Sequence, residues 1–294
     1  RQEYYGTIKE SGIGLACEEA ARIILSENRP FSMETAACDE EYEPSSEYDS
    51  SFALQIFAAR EAVFKILAKE SLSIHEKLIV ILDMGSKIQQ CINTDEYDNI
   101  KSVVNDYLKE GIAHTLDETR NLSDSGQFED ISLQQGIRQI LYPYEEMEVL
   151  NPEWEVILKD IIDSLFEQMS DEEYNILNEE FGTYMVSRAY EYRQLLEYFV
   201  FRYFAKSIYD YDFLGKCQML VTNFFVIRQM DIIRWLDNHR EYSFKDRMDV
   251  VHIFSRQVEY SEDNIENLYE DFIFDDIFKT DSLIAILWID SENI

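Results

Sequence analysis

Glycine and proline are scarce in this sequence, which has 9 Gly and 4 Pro among 294 residues. Because these two residues punctuate turns, their scarcity indicates few turns and long regular elements. Hydrophobic residues make up 46% of the chain, which is ample for a buried core. The composition therefore predicts an all-α fold: a multi-helix, bundle-like arrangement with orthogonal and antiparallel packing around a long central hydrophobic helix.

Positive charge is also in short supply. The chain has 26 Lys and Arg against 59 Asp and Glu, for a formal net charge of -33. Such a charge repels nucleic-acid phosphates and anionic membrane surfaces, so we expect neither as a partner. Basic proteins or peptides are the partners that this charge favours.

Targeting signals and membrane spans are absent from the sequence. Nothing resembles a signal peptide, and the longest apolar runs, such as LIAILWI at 283–289, are too short to span a bilayer. We therefore expect a cytoplasmic protein. The chain begins with Arg1 rather than methionine, and we expect that an upstream segment is missing from it.

Familiar catalytic motifs are missing as well. The sequence has no GxGxxG, GxxxxGK[ST], GxSxG or HExxH pattern, which leaves dinucleotide, P-loop, serine-hydrolase and zincin chemistry without local support. The four cysteines lack CxxC spacing. A di-metal helix bundle needs Glu-x-x-His on two helices, and the nearest match is the single pair Asp249 and His252. No metal site is predicted from these residues alone.

Helical periodicity and capping residues predict the course of the chain. A short helix is expected within 14–28, an acidic loop over 34–50, and long helices from residue 51 to about 118. Ser73 with Glu76, and Ser170 with Glu173, have the spacing of capping boxes. The polar stretch 121–132 is interpreted as a connecting loop between an N-terminal helical part, 1–120, and an aromatic-rich C-terminal part, 133–294. The two parts can also form one continuous domain.

Further helices are predicted in the second half. The pattern indicates a helix over 133–149 interrupted at Pro143, and another over 152–168. The longest helix, apolar around nearly its whole circumference, is predicted over 172–208. Helices over 215–236, 244–260, 262–272 and 281–290 follow.

Cations and aromatic rings concentrate in the C-terminal third. Residues 188–256 hold 11 Lys and Arg against 9 Asp and Glu. Most of the rings are interpreted as core, and most of the arginines as partners of acidic residues. The functional alternative is a pocket in which ring faces attract a cation and a guanidinium binds a carboxylate. The tyrosines considered for that pocket are Tyr190, Tyr198, Tyr203, Tyr209 and Tyr211.

Three stretches of the chain resemble a known bacterial family. They are LACEEAARIIL at 15–25, LLEYFVFRYFAKSIYDYD at 195–212 and HIFSRQVEYSEDN at 252–264. Their order and separation resemble the flagellin lysine-N-methylases, in which a cysteine-rich N-terminal region precedes a "CPEAARLIL"-like helix. In that family a late "SRxxEH"-like segment closes the main helical body.

The resemblance implies methyl transfer from S-adenosylmethionine to surface lysines of flagellin or another lysine-rich protein, together with an iron-sulfur cluster. Cys17 matches the cysteine that opens the family's first helix and becomes a cluster-ligand candidate, provided that further cysteines lie upstream. The alternative for Cys17 is an ordinary buried thiol. Glu18 stands where the family has proline, and Tyr260 stands where histidine is common.

The residues expected to bind the methyl donor or the lysine are Arg202, Tyr203, Arg228, Arg256 and Glu259. The competing interpretation of Arg256 and Glu259 is a plain ion pair three residues apart on a helix. The catalytic residue is not identified. A second hypothesis for the whole chain is a non-catalytic, acidic all-α module that binds basic protein surfaces.

Overall fold

The protein is largely helical, as the sequence predicts. The structure, a computed structural model, describes residues 2–6, 8–29, 31–34, 36–37, 49–124 and 131–292. Among these residues the only sheet is a two-stranded hairpin, so the all-α fold class is confirmed. In the described ranges no helix combines the length and the apolar character needed to cross a bilayer. Most of the acidic loop predicted over 34–50 lies outside the described residues.

The secondary structure is numbered in chain order. The strands are β1 Gln2–Tyr5 and β2 Ile8–Ser11. The helices are α1 Glu18–Leu25, α2 Ser50–Leu67, α3 Ile74–Asn93, α4 Ile100–Asp106, α5 Ile112–Asp124, α6 Leu133–Glu145, α7 Pro152–Ile161, α8 Asp171–Met185, α9 Ala189–Tyr203, α10 Ser207–Asp210, α11 Phe213–Asp237, α12 Phe244–Val258, α13 Glu262–Phe274 and α14 Thr280–Glu292.

Capping residues explain where several of these helices begin. Both predicted capping boxes are confirmed: the Ser73 hydroxyl accepts from the Glu76 backbone N–H, and Ser170 does the same for Glu173. Ser243 starts α12 with a third box. Each cap satisfies backbone groups that the first helical turn leaves without partners, so these helix starts are fixed locally by sequence.

The long helix predicted over 172–208 is wrong in its continuity. The 3-10 turns Val186–Arg188 and Phe204–Lys206 divide it into α8, α9 and α10. No glycine or proline lies at either break. Near the first break the Arg188 guanidinium donates to the backbone carbonyl of Tyr242 at 2.6 Å, and the Tyr242 N–H donates to the Tyr184 hydroxyl at 2.9 Å. Tertiary hydrogen bonds therefore stabilise a helix break that the local sequence does not predict.

Two other predicted helices also differ from the structure. The segment from residue 94 to about 118 contains a 3-10 turn at Tyr97–Asn99 and a π-helical turn at Tyr107–Gly111, and α5 then continues to Asp124. Pro143 does not interrupt α6, which ends two residues later at Glu145. The longest described helix is α11, with 25 residues.

Contacts divide the chain into two compact units. Unit 1 comprises Arg1–Ile13, Asn28–Glu118 and Glu191–Leu220, and unit 2 comprises Gly14–Glu27, Thr119–Tyr190 and Val221–Ile294. Each unit is assembled from three separated stretches. Residues 125–130 of the predicted connecting loop lie outside the described residues, and the sequence-based division at 121–132 stays a prediction.

Unit 1 packs the hairpin and α2 to α4 with α9 and the start of α11. Buried Tyr5 stacks on Tyr209 with ring centroids 5.8 Å apart, and the Arg60 guanidinium donates to the Glu10 carboxylate at 2.8 Å. These contacts explain how a hairpin that has no sequence signal is held in place. A Cβ added to Gly85 would lie 2.5 Å from the Cys217 Sγ, so α3 and α11 approach closely at this point.

Unit 2 surrounds the rest of α11 with α1, α6 to α8 and α12 to α14. Several buried polar side chains in its core are hydrogen-bonded to one another. The Tyr144 hydroxyl donates to Asn223 Oδ1 at 2.9 Å, and Tyr174 donates to Gln229 Oε1 at the same distance. This core supports the surface on which α1, α7, α11 and α12 form a groove.

Candidate functional site

The candidate site is a groove on unit 2, with a volume of about 580 Å³, which we call the α12 groove. Its lining residues come from α1, α7, α11 and α12: Glu18, Glu153, Val156, Ile157, Asp160, Ile233, Arg234, Asp237, Asp249, His252, Ile253 and Arg256. The buried isoleucines provide an apolar base, and exposed carboxylates surround it. The volume lies in the range typical of small-molecule sites.

Helical spacing explains why these residues share one surface. On α12 the lining positions are 249, 252, 253 and 256, and on α7 they are 153, 156, 157 and 160. Both sets follow the i, i+3, i+4, i+7 pattern that places side chains on one face of a helix. The sequence therefore encodes two faces that each carry both apolar and charged residues.

Two arginines in the groove have no ion-pair partner in the part of the chain that the structure describes. Among the described residues, neither Arg234 nor Arg256 makes a salt bridge or a side-chain hydrogen bond. Other arginines do, and Arg193 binds the Glu197 carboxylate at 2.8 Å. In a chain with more than twice as many acids as bases, two uncommitted guanidiniums in one groove mark a place that favours an anionic group.

The effect of Arg234 is seen on a nearby carboxyl. The pKa of Asp246 is lowered: partial burial opposes the shift, but hydrogen bonds from Ser243 and Asn238 and the positive charge of Arg234 outweigh it. Asp246 itself completes the capping box of α12, so its hydrogen bonds serve the helix start. The guanidinium of Arg234 is thus electrostatically close to α12 while it stays available to a ligand.

His252 lines the groove beside Arg256. Its Nδ1 atom is enclosed by the protein and has no hydrogen-bond partner among the described residues. His252 lies one helical turn from Arg256 on the same face of α12.

The residues that the sequence predicts as ligand-binding belong to different units. Arg256 lines the α12 groove. Arg202 and Tyr203 belong to unit 1, where Arg202 binds the Glu3 carboxylate at 3.3 Å and Tyr203 is buried. Buried Arg228 donates to Asn178 Oδ1 at 2.7 Å and lies 4.0 Å from the Asp290 carboxylate. A ligand role for Arg202, Tyr203 and Arg228 stays a prediction.

The interpretation of Arg256 and Glu259 as an ion pair is wrong. The Glu259 side chain is buried at the end of α12, and its carboxylate accepts a hydrogen bond from the Ser255 hydroxyl. Arg256 is exposed on the groove face instead. A spacing of three residues is compatible with an ion pair. The Glu259 carboxylate is instead buried and bound to Ser255, whereas the Arg256 side chain is exposed, so the two side chains do not pair. A ligand role for Glu259 also stays a prediction.

The tyrosines considered for a cation pocket are divided between the two units: Tyr190 belongs to unit 2 and the other four to unit 1. Tyr198 and Tyr203 are buried core residues. Tyr209 donates its hydroxyl hydrogen to the carbonyl of Tyr4 at 2.8 Å, and Tyr211 stacks on Phe52 with centroids 5.0 Å apart. These contacts agree with the interpretation of the four rings as packing residues, and the cation pocket stays a prediction.

Cysteine placement does not provide a cluster site in the described part of the chain. Cys17 precedes α1 and is exposed, so the interpretation as a buried thiol is wrong, whereas Cys217 is buried. No three His, Cys, Asp or Glu side chains within the described ranges are grouped to hold a metal ion. An iron-sulfur cluster needs several thiolates, so the residues present do not fit one. The role of Cys17 as a cluster ligand stays a prediction that depends on thiolates elsewhere, and Cys38 lies outside the described residues.

A second, smaller groove lies on unit 1. It has a volume of about 380 Å³ and is acidic, with no basic residue in its lining. Its lining residues are Asp49, Ser51, Phe52, Asp95, Glu96, Tyr97, Asp98 and Asn99. Several of its polar groups are already used locally: Asp49 caps α2, and the Tyr97 hydroxyl donates to Asp95 at 2.9 Å. The α12 groove is chemically the more varied of the two.

Two weak signals for this site are present in the sequence. Asp249 and His252 have an isolated metal-like spacing that predicts no ligand role for either residue, and Arg234 is one of the C-terminal arginines interpreted as partners of acids or as part of an anion-binding pocket. Adding Arg256 to the pair extends the same helix face by one turn. Two of the three family-like stretches also meet here, because α1 packs against α12 and Glu18 reaches the groove.

Comparison with known proteins agrees with the family resemblance of the stretches that meet at the groove. The family described as the FliB lysine N-methylase C-terminal domain matches residues 60–286, which is more than three quarters of the chain. The match includes every lining residue of the α12 groove except Glu18. No curated protein and no solved structure shows a significant match. As the resemblance of the three stretches predicted, the chain belongs to the FliB lysine N-methylase C-terminal domain family.

Proposed function

We propose that this chain is part of a cytoplasmic protein lysine N-methylase that transfers methyl groups from S-adenosylmethionine to surface lysines of flagellin or a similar protein, and that the α12 groove binds the methyl donor. The observation that carries the proposal is the pair of uncommitted arginines, Arg234 and Arg256, in one groove of a strongly acidic chain. Membership of the methylase family supports the reaction class.

The charges of the groove suit a zwitterionic ligand with an added cationic centre. S-adenosylmethionine carries a carboxylate, an ammonium and a sulfonium. A guanidinium binds a carboxylate through two parallel hydrogen bonds, and Arg256 is placed to do so with the imidazole of His252 one turn away. The surrounding carboxylates, such as Asp249 and Asp237, attract the two cationic groups.

The apolar base of the groove suits the remainder of that ligand. Ile157, Ile233 and Ile253 come from three different helices and are buried or nearly so. An adenine ring placed on them removes apolar surface from water, while its polar edge stays near the exposed rim. When bound, the donor supplies an electrophilic methyl group on sulfur.

The exposed acids of the rim serve the second substrate. Glu18, Glu153 and Asp160 are exposed at the groove. A local negative potential raises the concentration of a lysine-rich protein surface beside the bound donor. The groove in this proposal holds the donor and attracts the acceptor, and no step is assigned to an iron-sulfur cluster.

Direct binding of labelled S-adenosylmethionine to the full-length protein tests the proposal. We expect Arg256→Met and Arg234→Met each to raise the Kd at least tenfold, or about 1.4 kcal/mol, with little change in Tm. The matched control is Arg240→Met, because Arg240 is a similarly exposed arginine of unit 2 that is paired with Glu180 at 2.7 Å. An unchanged Kd in both groove variants would show that the donor does not bind in this groove.

A second measurement separates the enzyme from a binding module. Full-length protein is incubated anaerobically with S-adenosylmethionine and flagellin, and lysine methylation is scored by mass spectrometry. Methylation that falls in the two groove variants but not in Arg240→Met supports a methylase. Flagellin binding without donor binding or methylation supports the non-catalytic acidic module instead.

A further inference from the structure

Three large apolar side chains are exposed near the C-terminal end of α13. Ile273 and Phe274 are 75% and 78% exposed, and Tyr142, near the end of α6, is 51% exposed. We call these three residues the α13 patch. Single exposed apolar residues are ordinary, but a group of them at one place is typical of a protein interaction surface.

Packing and charge both relate Tyr142 to the end of α13. The pKa of Tyr142 is raised by its hydrogen bond to Glu146, at 2.9 Å, and also by the charges of Glu145 and Asp275. The two helices pack together within unit 2. Tyr142 therefore shares one surface region with the residues that end α13.

The same region carries an excess of negative charge, although Arg138 pairs with Glu145. Partial burial and the charges of Asp275, Glu146 and Glu270 raise the pKa of the Asp271 carboxyl. Helix α13 contains five acidic residues and no lysine or arginine. Its C-terminal carbonyl groups add partial negative charge. The next lysine along the chain, Lys279, is paired with Asp276 at 2.5 Å.

We propose that the α13 patch docks a basic amphipathic segment of a partner protein. The apolar face of that segment covers Ile273 and Phe274, and its lysines or arginines pair with Asp271 and Asp275. Charge complementarity selects this occupant. A second copy of the chain brings the same net charge of -33 to the contact, which disfavours self-association.

The partner fits the proposed function as a lysine-rich protein substrate. On this view the α13 patch holds the substrate protein by a surface that is distinct from the lining of the α12 groove. The docking surface rests on the proposed function only for the choice of flagellin as the probe. Binding is therefore measured without S-adenosylmethionine, so that failure of docking and failure of donor binding are seen separately.

The contribution of the apolar residues to docking is tested by binding of the full-length protein to immobilised monomeric flagellin. We expect the double variant Ile273→Ser with Phe274→Ser to raise the Kd at least tenfold. Both residues are largely exposed, so the Tm should stay close to that of the wild type. The control is Val186→Ser, because Val186 is 66% exposed in unit 2 and lies outside the patch. Equal binding by the double variant and the wild type overturns the proposal.

The contribution of the acidic residues is tested by measuring how flagellin binding depends on salt concentration. Asp271→Asn with Asp275→Asn should weaken flagellin binding and flatten its dependence on ionic strength, whereas Glu172→Gln with Glu179→Gln, at exposed acids of α8, should change neither. Flagellin with acetylated lysines should bind the wild type weakly. Absence of wild-type binding, or a dimer in sedimentation that the Ile273→Ser and Phe274→Ser variant loses, overturns the assignment to a basic partner.

Discussion

Asp231 and Arg247 form an ion pair in which Oδ2 and Nη1 are 2.6 Å apart, and neither side chain is exposed to solvent. Asp231 belongs to α11 and Arg247 to α12. The Tyr242 hydroxyl also donates to Asp231, and the Arg247 guanidinium lies 5.4 Å from the centre of the Tyr242 ring. This cluster joins the two helices that carry Arg234 and Arg256, so it supports the geometry of the α12 groove.

Asp231→Ala should destabilise the protein strongly. The change leaves the guanidinium of Arg247 buried without its carboxylate, and loss of one partner of a buried pair costs about 3–5 kcal/mol. Urea unfolding followed by circular dichroism measures the effect. The double variant Asp231→Leu with Arg247→Met removes both charges and should recover most of the loss. A loss below about 1 kcal/mol for Asp231→Ala contradicts the role of this pair, because it is typical of exposed pairs.

Gly85→Ala should loosen the contact between α3 and α11. The new Cβ would lie 2.5 Å from the Cys217 Sγ, and the buried thiol has little space into which it can move. Overpacking of this kind costs about 1–3 kcal/mol. The control is Gly182→Ala in α8, where the higher helix propensity of alanine should stabilise by up to about 1 kcal/mol. Opposite shifts of Tm in the two variants are the expected result, and equal shifts contradict it.

Local rules predicted much of this fold. The all-α class follows from composition, and the starts of α3 and α8 follow from serine caps whose hydrogen bonds the structure confirms. The breaks near Arg188 and Lys206 could not be predicted in the same way, because contacts distant in sequence hold the first of them. The hairpin likewise depends on Tyr209 and Arg60, which lie far from it along the chain.

Tyr107 should make stability depend on pH in alkaline solution. Burial and a hydrogen bond to Asp83 raise its pKa from the ordinary value near 10 to about 12, although a hydrogen bond with Lys87 acts in the opposite direction. A raised folded-state pKa means that the contribution to stability is complete below pH 10 and is lost as the pH rises towards 12.

Comparison with Tyr107→Phe isolates this contribution. Between pH 10 and 12 the free energy of unfolding of the variant should fall less steeply than that of the wild type, as measured by urea titration at several pH values. The control is Tyr142→Phe, because Tyr142 is exposed and its shift arises chiefly from the hydrogen bond to Glu146. Parallel curves for wild type and Tyr107→Phe contradict the expectation.

The candidate site was only partly visible in the sequence. Arg256 lies in a family-like stretch, as does Arg202, and aromatic surroundings are common to Arg202 and Arg228. Their partners, Glu3 and Asn178, are distant along the chain, so the sequence could not distinguish a committed arginine from an available one. That distinction depends on tertiary contacts, and it is the property that singles out Arg234 and Arg256.

Arg256 and Glu259 should respond to substitution in opposite ways, although they lie three residues apart. Arg256→Ala removes an exposed guanidinium that has no partner among the described residues, so we expect weaker donor binding and a change in Tm of less than about 2 °C. Glu259→Ala removes the acceptor of the Ser255 hydroxyl, which is 1% exposed. A buried hydroxyl left without its partner costs about 1–3 kcal/mol.

The measurement is a pair of values for each variant: the Kd for S-adenosylmethionine and the Tm of the same preparation. Arg256→Lys refines the result, because lysine keeps the charge but cannot form two parallel hydrogen bonds with a carboxylate. We expect Arg256→Lys to bind the donor more weakly than the wild type and more tightly than Arg256→Ala. If donor binding weakens and Tm falls in parallel across the Arg256 variants, the role of Arg256 is structural. Removal of an exposed side chain that binds only the ligand should leave Tm unchanged.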